Sequence, residues 1–533
     1  MFTQTLTPTG SLTTTVLVAL IPLALLLALL AGVRLTAWLA CLIAGAATLL
    51  LGVSAWHAPL GATMRAYLYG SLTGVWVVDW ITFWGLIIFN TLVITGDFDR
   101  FKQWILHHAT ADVRIQTIML AWAFGALLEG LVGFGYPWAV VAPILIGLGI
   151  RDIDAIRVTA LANNAPVSYG ALGSPILALA AVTGLPLLAL SGSVGTIVAV
   201  LALFPPWVLI YLVSGWRGVA EAWPLAIVGS LSYILGQYPI ARFWGPYLPD
   251  IGGALTSFWI LYLFVKVWKP KTIRGFGGAP LPAPTDTASN GPGVSAIKAW
   301  MPYFILLVVV AAWTGPWSHL PARSLFVARV GAVSSVSGQA SYSAFNFNPL
   351  SGGTAILASW LVILLFQRPS GAQLRRVFAQ TFHQMWGALL VGFFIFGLAY
   401  TFVFTGMANS LAFGFAKIGP AFVLLCPVLG WIGVALSGSN TSTNAMFGPI
   451  QAAAGRLLNM PPLLLPSLGS VGAEVGKPVA PQTASVGVST TRLVRSEGTV
   501  IRHNMGWTLI FLAYLMLLGV LFYAGPLRLL LPH

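Results

Sequence analysis

Ser437-Gly438-Ser439-Asn440-Thr441-Ser442-Thr443-Asn444 interrupts a chain that is otherwise overwhelmingly apolar. Seven of these eight residues carry a hydroxyl or an amide, groups that are costly to bury unless paired or solvated. Their surroundings decide how they are read. Of 533 residues, 58% are hydrophobic and 7% are charged, against roughly 25% charged in an ordinary soluble domain. Many separate runs reach the ~20 apolar residues that cross a hydrocarbon core. The fold class is therefore an all-α polytopic membrane protein, with about 12–14 membrane segments expected from those runs. Scattered hydroxyls in such a protein bond between helices, but a cluster this dense fits a polar cavity.

The same grammar occurs once more on each side of the octet. Downstream, Gly476-Lys477-Pro478-Val479-Ala480-Pro481-Gln482 brings a lysine and two prolines into an apolar stretch. In the first half, Glu129-Gly130-Leu131-Val132-Gly133-Phe134-Gly135-Tyr136-Pro137 is followed by Asn163-Asn164-Ala165-Pro166-Val167-Ser168. Gly and Pro at these positions let a helix unwind. Unwound backbone at membrane depth is tolerated where it is buried or lines a cavity, and half-helix N-termini there present N–H groups to an anion. Expected uninterrupted crossings are 12–31, 35–54, 72–95, 187–213, 224–240, 252–268, 300–315, 352–366, 383–405 and 505–526, with 115–182 and 418–490 as broken regions. Residues 269–299, rich in Pro and Gly, read as a flexible cytoplasmic linker between an N-terminal membrane half, 1–268, and a C-terminal half, 300–533. Residues 316–350, with few charges and many Ser and Asn, read as a long loop.

Placing the N-terminus outside puts 18 of the 26 Lys and Arg in inside loops and seven in outside loops, with Lys477 within the membrane. In that topology the two broken regions run in opposite directions, which predicts two inverted repeats, each with a hairpin and a broken helix. The net charge of +14 is thus a topology signal, not a nucleic-acid surface. Met1 to Thr15 contains no Lys or Arg, so the run 12–31 reads as a retained span instead of a cleaved signal.

Ionisable residues inside the membrane are functional candidates. Glu129 is expected to carry a proton, with Glu474 a second proton-coupling carboxyl. Lys477 would either neutralise a substrate carboxylate or pair with Glu474 three residues earlier. Asp79 reads as a solvated cap near the outer end of its span. The two cysteines, Cys41 and Cys426, lie in apolar segments and exclude a disulfide framework. The seven histidines form no zinc pattern, and no phosphate-binding Gly-x-x-x-x-Gly-Lys-Ser/Thr loop occurs. No catalytic residues, cofactor or metal site is expected, so the protein is not read as an enzyme.

At these motifs the sequence resembles the bacterial lactate permease family. The resemblance rests on Phe124-Gly-Ala-Leu-Leu-Glu-Gly130 with Gly133-Phe-Gly135, on Ala165-Pro-Val with Gly170-Ala-Leu-Gly173, and on Gly215-Trp-Arg-Gly218 with Trp223-Pro224. Leu248-Pro-Asp-Ile251, Gly430-Trp-Ile-Gly433, Ser437-Gly-Ser-Asn-Thr441 and Gly476-Lys477 followed by Pro481-Gln482 extend it almost end to end. The resemblance implies proton symport of L-lactate, D-lactate and glycolate through the bacterial inner membrane. The expected partners are a small organic anion, a proton and the lipid bilayer, with no nucleic acid; a homodimer is compatible. Tyr136, Asn164 and Glu474 depart from the family's pattern of a small residue, a Thr and a neutral residue. Substrate-binding residues are expected among Gly133, Gly135, Tyr136, Asn163, Asn164, Ser168, Ser439, Asn440, Thr441, Asn444, Lys477 and Gln482. The alternative is a carrier of another organic anion, driven by Na⁺ or protons.

Overall fold

The computed structural model describes residues 1–107, 110–133, 135–281, 296–493 and 495–532. His108, Ala109, Phe134, residues 282–295 of the expected linker, Val494 and His533 lie outside the described residues.

Eight helices in the described residues are long and apolar enough to cross a membrane, nine if the bent pair Asp152–Ala162 and Val167–Thr183 is taken as one span. Leu12–Ala31 is a clear case, with 20 residues or about 30 Å of helix. The count is below the expected number of segments because several runs are longer than one crossing or shorter than the threshold. Leu187–Phe243 holds 57 residues in one apolar stretch, bent at Gly215 and Ala222 where the backbone leaves helical geometry. Ala299–Thr314 and Gly352–Gln367 are apolar but short.

The expected loop 316–350 is instead largely sheet. Strands β1 (Phe2–Thr3), β2 (Phe326–Val333) and β3 (Ala340–Phe347) form one sheet in the order β1-β2-β3. β2 and β3 are antiparallel, with Phe326 opposite Phe347 and Val333 opposite Ala340. Alternation is the cause: Val330 and Ala332 turn onto Ala58, Ala66 and Phe404, while Arg329, one residue before Val330, lies over the Tyr342 ring.

The start of the linker is tied down. Arg114, wholly buried, donates to Asp112 at 2.9 and 2.6 Å, to Glu221 at 3.1 Å and to the Thr272 carbonyl at 2.8 Å. Arg274 closes on Glu221 with two bonds of 2.7 and 2.5 Å, a bidentate geometry that fixes orientation as well as distance. The Ala296–Thr314 helix takes up the linker's last residues.

Candidate functional site

Both expected broken regions are broken, and the breaks are packed on one another. In the first, a helical stretch through Gly125–Leu131 stops, and Tyr136–Gly147 begins after Gly133 and Gly135, whose φ angles are +69° and +78°. Glycine adopts this left-handed backbone without the Cβ penalty, and Pro137 suits the first turn of the new helix. The chain then returns through Asp152–Ala162 and breaks again, with Ala171, Leu172 and Gly173 all left-handed at φ 47°, 57° and 80°. Two of these three are not glycine, so this backbone is strained by about 1–2 kcal/mol per residue and is held by its surroundings. In the second region, Phe422–Ser437 ends on Gly438 at φ +73°. Ser439 then caps Asn440–Leu457, accepting a bond from the Ser442 N–H at 3.2 Å. Leu464–Gly476 returns and unwinds over 477–480 before Pro481–Ser489.

Four contacts lock the breaks together. Lys477 Nζ lies 2.5 Å from Glu129 Oε1, and Asn163 Nδ2 donates to the other oxygen of Glu129 at 3.0 Å. A Cβ built on Gly135 would meet Thr483 at 2.9 Å, and one on Gly438 would strike the Gln482 side chain. Lys477 therefore takes neither a solvated position nor Glu474 as its partner. The carboxyl of Glu129 comes from the other half of the chain, which sequence spacing could not reveal.

A cavity of about 520 Å³ opens at this junction. One wall comes from the broken helices and includes Glu129, Gly133, Ser439, Asn440, Thr441, Lys477 and Gln482. These seven expected residues are brought together. Lys477 is the one basic side chain among the described residues that line the cavity. The others in the expected set lie elsewhere. Tyr136 packs edge-on against Phe89, ring centroids 5.0 Å apart. Ser168 donates to Glu474 Oε2, and Asn444 donates to the Pro175 carbonyl and to Ser470, both at 3.0 Å. The Ser168–Glu474 and Asn444–Pro175 bonds tie the first region to the second, and the Asn444–Ser470 bond lies within the second. Asn164 is fully buried with neither amide atom bonded. Gly135 supports the wall without lining it.

The opposite wall was not anticipated from sequence. It is built by unbroken helices and carries Cys41, Asp79, Thr82, Gln384 and Gly392. Asp79 is no solvated cap: it is 6% exposed, and its helix begins far earlier than expected, at Leu60. Ser174 and Ser437 also reach the cavity, and Ser174 lies 3.4 Å from Thr441, hydroxyl to hydroxyl.

A second cavity of about 420 Å³ lies beneath the β2–β3 hairpin, lined by Val77, Leu177, Tyr400 and Ser343 among others. In its wall Tyr400 donates to the Ala181 carbonyl at 3.2 Å.

Apolar helices that break at one buried junction, around a cavity with one lysine and a cluster of hydroxyls in its wall, define a multi-pass membrane protein with an internal cavity. Within that class the chain belongs to the L-lactate permease family, whose sequence profile matches residues 15–524. It is similar to the glycolate permease GlcA of Escherichia coli K12, at 33% identity over 98% of each chain. The L-lactate permease of Bacillus subtilis is 31% identical over 96% of each chain, as is that of Escherichia coli K12.

Proposed function

We propose that this chain carries small 2-hydroxy monocarboxylates, L-lactate and glycolate foremost and D-lactate with them, across a bacterial inner membrane by proton symport. The observation that supports this reading is Lys477 in the wall of a cavity that the start of the Asn440–Leu457 helix also lines. An ammonium and the N–H groups of a helix N-terminus together form an anion site, and the hydroxyls and amides of Ser439, Asn440, Thr441 and Gln482 suit a hydroxyl group next to the carboxylate. The relatives named as lactate and glycolate permeases agree with that chemistry.

In this mechanism Glu129 holds Lys477 in place and keeps its charge matched while the cavity is empty. The entering carboxylate takes up the donors that Glu129 leaves free on the ammonium, together with the backbone N–H groups exposed by the breaks. One proton moving with one monocarboxylate is electroneutral, so the pH gradient drives it with about 1.36 kcal/mol per unit. The molecule is released unchanged.

Purified protein in sealed liposomes tests this with labelled L-lactate and glycolate, an inward-acid gradient and the membrane potential clamped near zero. Accumulation that collapses with a protonophore is the expected result. Folded protein that accumulates neither anion overturns the reading; accumulation driven by Na⁺ at uniform pH favours the Na⁺-coupled alternative.

A further inference from the structure

Proton symport is served by a titratable group that gains and loses a proton at the substrate cavity, and the sequence points to the carboxyl of Glu129. In the structure Glu129 is already matched, by Lys477 at 2.5 Å and by Asn163 at 3.0 Å. The cavity holds a second carboxyl without such partners. Asp79 stands at the end of a π-helical turn, Gly74–Asp79, inside the long helix that runs from Leu60 to Thr95. Such turns are rare and mark functional positions in many helices. The side chain lines the cavity, and its Oδ2 is buried with no hydrogen-bond partner. The neighbouring Gly371–Thr405 helix faces it with Gly392, where a Cβ would overlap both carboxyl oxygens. A glycine at that one place leaves room for the acid.

The titratable groups that share the cavity with Asp79 are Cys41, Glu129 and Lys477. Of the other helices packed on its turn, Gly170–Thr183 and Gly352–Gln367 carry no titratable side chain, and Gly371–Thr405 meets it at Gly392. With Lys477 matched to Glu129, an ionised Asp79 is an unmatched charge, and a bound monocarboxylate adds a second of the same sign. Removing one of them with a proton favours the anion, and by linkage the anion favours the proton. Building on the symport reading above, we propose that Asp79 is the carboxyl that takes up the coupling proton, facing the bound anion across the cavity from Lys477.

Asp79→Asn in liposomes tests this with two readouts: accumulation under a pH gradient, and lactate counterflow at equal pH on both sides, measured from pH 5.5 to 8. Wild type is expected to accumulate lactate and to show pH-dependent counterflow. Asp79→Asn is expected to lose at least tenfold in gradient-driven accumulation, and the counterflow it keeps is expected to be flat with pH. Gly392→Ala leaves every titratable group in place while crowding the carboxyl, and is expected to move the counterflow midpoint by at least half a pH unit. Asp79→Asn protein that accumulates lactate as wild type does, or a Gly392→Ala midpoint that stays in place, overturns the role of Asp79 alone. Wild-type protein that carries no lactate in either assay overturns the symport reading and this one with it.

Discussion

The two broken regions solve one problem by different means. The first relies on backbone: two left-handed glycines at 133 and 135 and three consecutive left-handed residues at 171–173, with Glu129 as its main side chain in the cavity wall. The second has one left-handed glycine at the cavity, Gly438, and fills the cavity with side chains, from Ser437 through Ser442, then Lys477 and Gln482. Shape and recognition are thus divided between the halves. Damage to the first should appear mainly as lost stability, and damage to the second mainly as lost affinity.

The largest effect should come where the halves meet. Lys477→Ala leaves Glu129 buried without its cation, which costs roughly 3–5 kcal/mol; both a fall in uptake of at least about 100-fold and a lower unfolding midpoint are expected. Gly173→Ala comes next. Its φ is +80° and its Cβ would overlap the Pro246 carbonyl, so a loss of at least about 1–2 kcal/mol is expected in denaturant titration, with lactate affinity in the surviving protein little changed. Thr441→Val is the converse: an affinity loss of about 3–10-fold, from one hydrogen bond of about 0.5–1.5 kcal/mol, read by substrate competition with unfolding unaltered. Tyr136→Phe should be smallest, within about twofold in uptake, because the ring packs on Phe89 and lies outside the cavity lining. If Gly173→Ala proves to lower affinity, or Thr441→Val stability, the division of labour between the regions fails.

The membrane class, the apolar spans and both broken regions were legible because composition and the placement of Gly and Pro are local signals. The second-region wall was legible for the same reason, since seven polar residues in eight have few uses in an apolar chain. The partner of Lys477 was not. Helical spacing favoured Glu474, but Glu474 is taken by Ser168 and Glu129 comes from 348 residues away. Asp79 was misjudged through a helix boundary. The span begins at Leu60 and runs to Thr95 through a π-helical turn, so a residue placed near its end stands near its middle. The β2–β3 hairpin was read as loop because its buried face mixes Val330 and Phe345 with the small residues Ala332 and Ser343, which barely register as apolar.

The partition between the two cavities is thin. Val78 lines the cavity of Lys477 and its neighbour Val77 lines the other. Pro175 and Leu177 divide in the same way, as do Phe396 and Tyr400. About one helical turn, some 5 Å, separates the compartments, where the hydrocarbon layer is about 30 Å thick. Were water to fill the two cavities from opposite sides of the membrane, the partition would behave as the dielectric of a narrow capacitor. The membrane potential would then fall across that single turn, and a charge crossing it would meet a field about six times steeper than the bilayer average. An electroneutral pair of proton and anion crosses such a gap without electrical work, whereas either ion alone would meet the full drop within a few ångströms.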